Sequence, residues 1–180
     1  ADYIDIAGIK DIQLADFNGN NQQNIAVISA QQKTTEINLL EFNLTTQRLE
    51  VISSFEIIAG QSLEQLDVNG DQKPDLLITD DKGISRIYLN NTDSQLEFSI
   101  SPEAFIYSDS TVLVSKLGND RQEQVVFWKQ ADSELNIFEP SATGYLTQLT
   151  DLQASSRQQE LILTVEGGSQ QAVIELYNDG

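Results

Sequence analysis

The chain has 180 residues, 28 acidic and 10 basic, giving a formal net charge of −18 at pH 7. That surplus repels nucleic acid and anionic membrane surfaces. Cys, His and Met are absent, which excludes disulfides, thiol nucleophiles, His-based triads and the usual zinc, copper and haem ligand sets.

A hard cation held by oxygen is the metal chemistry left open. A chain without Met reads as processed or excised, and Ala1 suits the residue just after a signal-peptidase cut. No apolar run approaches the roughly 20 residues that cross a bilayer as a helix. These features set the expectation of a secreted or cell-surface protein of bacterial type, with no nucleic-acid partner and no membrane insertion.

From the N-terminus, "DYIDIAG" reads as an isolated strand. It is followed by four candidate strands, "IQLAD", "NIAVIS", "EINLLEF" and "LEVISSFEI", rich in β-branched and aromatic residues and separated by Gly, Asn, Asp and Ser. The pattern then returns to its start. "IDIAGIKDIQLADFNGNNQQNIAVIS" from Ile4 overlies "FEIIAGQSLEQLDVNGDQKPDLLIT" from Phe55, with Asp16 and Asp67 separated by 51 residues.

A third copy, "VLVSKLGNDRQEQVVFWKQ", follows at an offset of 49, and a worn fourth, "LTDLQASSRQQELILTVEGG", surrounds Asp151. In each unit the second strand is nearly all apolar, as expected of a strand covered on both faces. "LLEFN", "RIYLN", "NIFEP" and "ELYND" end at comparable points and carry Phe42, Tyr88, Phe138 and Tyr177. These four, with Phe127 and Trp128, are read as packing residues. Asp80 and Asp81 are read as a solvated hairpin end.

Four-stranded units of this length mark an all-β protein built as a β-propeller of antiparallel blades. The expected division is a closing strand at 1–9, blades at 10–60, 61–108 and 109–149, and three strands of a fourth blade at 150–180. The N-terminal strand resembles "SFEIIAG", the last strand of the first unit, so it can complete the fourth blade and close the ring. Closure removes open sheet edges. The alternatives are half of a seven- or eight-bladed propeller, or pairing with a second chain or further blades.

Two loops carry the chemistry. In "DVNGDQKPD", Asp67, Asn69, Asp71 and Asp75 alternate in a tight turn, and Lys73 can offer its carbonyl. Calcium takes six to eight oxygens in tolerant geometry. An EF-hand would need Gly and Glu where Gln72 and Ile78 stand, between helices rather than strands.

The pattern D-x-[DN]-G-[DN]-x-x-x-[DN] before an apolar strand instead resembles the calcium loop of FG-GAP (VCBS-type) repeats, which build integrin-α-like propellers. That resemblance implies calcium held by Asp67, Asn69, Asp71, the Lys73 carbonyl and Asp75. The matching set in "DFNGNNQQN" is Asp16, Asn18, Asn20, the Gln22 carbonyl and Asn24, with one carboxylate left. Calcium would be weaker there, unless Asx-type hydrogen bonds hold the loop without it. In the third copy the positions fall on Lys116, Gly118, Asp120 and Gln124, and the fourth keeps Asp151 alone. Neither is expected to take metal.

The expected function is a non-catalytic, extracellular calcium-binding module for adhesion or for binding protein or carbohydrate. The alternatives are a polysaccharide-active enzyme domain and a structural part of a larger repeat assembly. Carboxylate pairs could serve glycoside hydrolysis, but no pair in the sequence is marked for it.

Overall fold

A computed structural model describes residues 6–31, 34–92, 96–106, 111–115, 123–129, 134–141, 143, 145–148, 159–164 and 171–176. Strands are the only regular elements among the described residues. In the first sheet they are β1 (Ile9–Ala15), β2 (Asn24–Gln31), β3 (Thr34–Asn43) and β4 (Arg48–Ile57). The second holds β5 (Ser62–Leu66), β6 (Asp75–Thr79), β7 (Ile84–Asn90) and β8 (Phe98–Ile106). The third holds β9 (Thr111–Ser115), β10 (Gln124–Lys129), β11 (Glu134–Pro140) and β12 (Leu146–Gln148), and a hairpin follows, β13 (Gln159–Thr164) with β14 (Gln171–Leu176).

Each of the first three sheets has its four strands in sequence order, all antiparallel. The fold is therefore all-β, in successive meanders. Residues 1–5 of the expected N-terminal closing strand and Tyr177 lie outside the described residues; at the end of that expected strand, Ala7 and Gly8 form a turn and Ile9 already opens β1. No helix among the described residues is long and apolar enough to cross a membrane.

The register aligns the repeats. Ile25 pairs with Leu40, Leu76 with Tyr88 and Val125 with Phe138, so Leu40, Tyr88 and Phe138 hold one position. This corrects the reading that set Phe42 beside Tyr88 and Phe138. Phe42 lies two residues further along β3 and is 45% exposed, whereas Tyr88 and Phe138 are buried. Phe127 meets Phe138 edge-on in the core, as expected; the Trp128 side chain lies outside what is described.

The sheets stack through two cores. Ala26, Ile28, Ile37 and Leu39 of the first sheet meet Leu63, Leu76, Ile78 and Tyr88 of the second. Leu66, Val68, Leu77 and Ile87, from the second sheet and the β5–β6 loop, meet Val125, Phe127, Phe138 and Leu146 of the third. The second sheet is thus apolar on both faces, and every residue of β6 is buried. Burial of such side chains contributes roughly 1.5–3 kcal/mol each.

The initial strands also lie close together, with β5 contacting both β1 and β9. Three side chains tie neighbouring sheets. Asp11 Oδ2 accepts the Leu63 N–H at 2.8 Å, Asn90 Nδ2 donates to the Phe17 carbonyl at 2.9 Å, and Glu123 Oε2 accepts the Asp67 N–H at 2.8 Å.

Candidate functional site

The two Asn-Gly loops join the first strand of a sheet to the second, and their backbones match residue for residue. Gly19 and Gly70 have φ of 70° and 74°, and Asn21 and Gln72 follow at 63° and 67°. Left-handed backbone suits Gly and Asn because their steric cost there is least.

In each loop the leading Asp is the organiser. Asp16 Oδ1 and Oδ2 accept the N–H groups of Asn20 and Asn21 at 3.0 and 2.7 Å. Asp67 Oδ1 and Oδ2 accept those of Asp71 and Gln72 at 3.1 and 2.9 Å. The third and fifth positions repeat the pairing. Asn18 accepts from Asn20 and Asn69 from Asp71; Asn20 accepts from Gln22 and Asp71 from Lys73. Turn-forming side chains thus hold each loop through local backbone bonds.

The ninth position does something the sequence did not suggest. Asn24, Asp75 and Gln124 are all buried, at 0, 0 and 1% exposure. Asn24 Oδ1 accepts the Phe17 N–H at 2.9 Å, and Asp75 Oδ2 accepts the Val68 N–H at 2.8 Å. Asp75 Oδ1 also accepts the Asn90 N–H at 2.7 Å. Both Asp75 oxygens therefore face inward onto buried backbone donors.

Burial pushes the Asp75 carboxyl up to about 6. The Asn90 and Val68 N–H groups oppose that rise, and the Asp71 and Asp67 carboxylates add to it. At the mouth of the same loop, Asn69 Nδ2 donates to Asp71 Oδ2 at 3.1 Å, bringing Asp67, Asn69 and Asp71 together. Their oxygens are hard donors with lone pairs beyond the N–H bonds they accept, a set that suits calcium. The described residues hold no group of three or more acidic side chains arranged around a metal position.

The first loop is filled differently. Glu41, on β3, extends Oε2 to Asn18, Asn20 and Asn24, accepting their side-chain N–H groups at 2.8, 2.7 and 2.9 Å. Asn18 contributes most to holding the Glu41 carboxyl below its usual range; partial burial opposes it, and Asn20 and Asn24 reinforce it. β2–β3 pairing brings Glu41 beside Asn24, and the matching place on β7 is Leu89.

Sequence reading missed Glu41. Its signal was an acid set between Leu40 and Phe42 at the apolar end of β3. Asn90 and Glu123 had no comparable signal.

Lys116, Gly118, Asp120 and Asp151, expected to hold no metal, lie outside the described residues. Asp80 departs from its expected role at a solvated hairpin end. Its Oδ1 accepts the Lys82 and Ile84 N–H groups, both at 2.9 Å, and its carboxylate approaches Arg86 at 3.9 Å with the side chain 7% exposed. The β6–β7 turn needs an acceptor for those donors, and Asp80 supplies it.

A groove of about 780 Å³ lies over the other face of the first sheet, lined by Ile9, Ile25, Val27, Leu40, Phe42 and Leu49 among others. No protein-family model matches the chain, and no curated protein matches it.

Proposed function

We propose that the chain is a non-catalytic, extracellular β-propeller module whose loop at 67–75 takes a structural calcium ion, and which binds a protein or carbohydrate partner. The observation that carries the metal reading is the cluster of Asp67, Asn69 and Asp71 on a frame already closed by its own backbone bonds. These three and the Lys73 carbonyl would hold the ion. Asp75 would join only by yielding a bond it accepts from Val68 or Asn90. Calcium would neutralise crowded carboxylates and stabilise the native state by an amount that grows with the logarithm of its concentration above the dissociation constant.

The arrangement of faces supports the propeller. Each residue shared between sheets points the same way along the stack: Leu76 and Tyr88 toward the first sheet, Val125 and Phe138 toward the second. By that rule Ile25, Val27 and Leu40 face backward from the first sheet, and Val126 and Ile137 forward from the third. Val27, Leu40, Val126 and Ile137 are 4, 3, 0 and 3% exposed, yet none belongs to either inter-sheet core. A fourth sheet containing the 159–176 hairpin, set between those two faces, would close a ring of four blades. Half of a larger propeller would need a second chain in the same place.

The test is a melting experiment with and without calcium. Millimolar calcium is expected to raise the melting temperature of the wild type and to leave D67N/D71N unchanged. At a hundred times the dissociation constant the gain is about 2.7 kcal/mol, or roughly 5–10 °C for a chain of this size. Identical melting in calcium and in EDTA would remove the metal from the proposal. A monomeric mass in solution would support the four-bladed ring, and a dimeric mass the shared one.

A further inference from the structure

The geometry points to a second binding chemistry on the same loop frame: the loop at 16–24 is a carboxylate cradle, filled by Glu41 of its own chain, and Glu41 makes this loop refuse a cation. Three amide nitrogens converge on one Glu41 oxygen at 2.7–2.9 Å. Their orientation is dictated from the other end. Asn18, Asn20 and Asn24 each commit their side-chain oxygen to a backbone N–H, of Asn20, Gln22 and Phe17 respectively. The nitrogens are therefore left pointing at Glu41.

A cation at this position would need the three amides to rotate. That rotation would sacrifice three backbone bonds and turn amide oxygens against the Glu41 carboxylate, losing charge-assisted hydrogen bonds as well. In the second loop the same positions are Asn69, Asp71 and Asp75. Ionised Asp side chains accept and cannot donate, and Leu89 stands where Glu41 would. One backbone frame thus gathers three amide donors in one copy, whereas in the other carboxylates take two of the three places and Asn69 turns its amide to Asp71, so the two copies favour opposite charge. The inference does not depend on whether the second loop takes calcium.

Substituting Glu41 and supplying a small carboxylate tests it. E41A is expected to melt about 5 °C below wild type, the loss of a few charged hydrogen bonds in a chain of this size. Acetate or formate at 100 mM should recover part of that loss relative to chloride at equal ionic strength, and should do nothing for the wild type. Melting of E41A within a degree of wild type overturns the proposal, as does recovery no greater than chloride gives.

If E41A does not fold, E41Q keeps the size and one acceptor oxygen. The side-chain amide resonances of Asn18, Asn20 and Asn24 should then shift together in E41Q, and unmoved resonances overturn the cradle. Calcium is the remaining arm. In D67N/D71N, which silences the second loop, calcium titration should give no heat. A calcium signal there that D16N abolishes would show that the first loop takes a cation after all. Failure of the wild type to bind calcium removes the function proposed for 67–75 and leaves the acetate result to decide on Glu41.

Discussion

The loops at 16–24 and 67–75 have one backbone and opposite interiors. In the first, three amides close around Glu41, a carboxylate delivered by β3. In the second, carboxylates line the loop, and one of them, Asp75, is driven fully into the interior. The turn is held by the leading Asp, by Asn and by Gly, which both copies keep. Electrostatic character is therefore a separate property, set by side chains the turn does not require. A repeat can preserve its shape while its copies come to favour different ions.

The ninth position gives the largest expected difference between the two loops. Asp75→Ala leaves the Val68 and Asn90 N–H groups buried without acceptors, at a cost of about 3 kcal/mol at pH 5. Asn24→Ala strands only the Phe17 N–H and removes one of the three donors to Glu41, at about 2 kcal/mol. Urea unfolding of both variants checks the order, and equal costs would mean that the two latches are equivalent.

The next effect is a pH dependence confined to the second loop. With its carboxyl raised to about 6, folded Asp75 keeps a proton that the unfolded chain releases above about 4. Its contribution to stability is therefore present below about pH 4 and falls as pH rises toward 6, by at most about 1.4 kcal/mol per pH unit. Asp75→Asn, which copies Asn24, should flatten this part of the curve.

Glu64 leaves a residual slope. Burial first, then the neighbouring Asp11, pushes it up to about 7, so its loss of stability extends higher in pH and survives in the Asp75 variant. A wild-type curve unchanged by Asp75→Asn would place the whole slope on Glu64 and remove Asp75 from the comparison.

The smallest effect exchanges the left-handed residues. Asn21 and Gln72 share that conformation at φ of 63° and 67°, and Asn tolerates it better than Gln. Gln72→Asn should stabilise by about 0.5 kcal/mol and Asn21→Gln destabilise by a similar amount. Thermal melts of the two single variants should move in opposite directions. Shifts of the same sign would show that the two turns are not strained alike.

Much of this architecture was readable because it is locally encoded. Alternation and turn residues set "IQLAD", "NIAVIS", "EINLLEF" and "LEVISSFEI" as strands, and these correspond to β1 through β4. The 51-residue repeat of the turn reappears as matched hydrogen bonds and matched left-handed residues. What could not be read depended on partners remote in the chain. Glu41 reaches Asn18 across 23 positions, and Asn90 reaches Asp75 across 15. The same limit applied to Phe42, whose alignment with Tyr88 by sequence gave way to Leu40 once strand pairing was known.

The sequence by itself determined the strand rhythm, the repeated turn and the oxygen-only chemistry open to a chain without Cys or His. Those follow from backbone propensity and from which functional groups exist at all. Only the tertiary structure decided that the ninth side chain turns inward as a latch and that Glu41 fills the first loop. Both outcomes require a second strand at a defined register. A side chain four residues away along a turn is within reach from local geometry alone, whereas one on the neighbouring strand becomes a partner only after the sheet has formed.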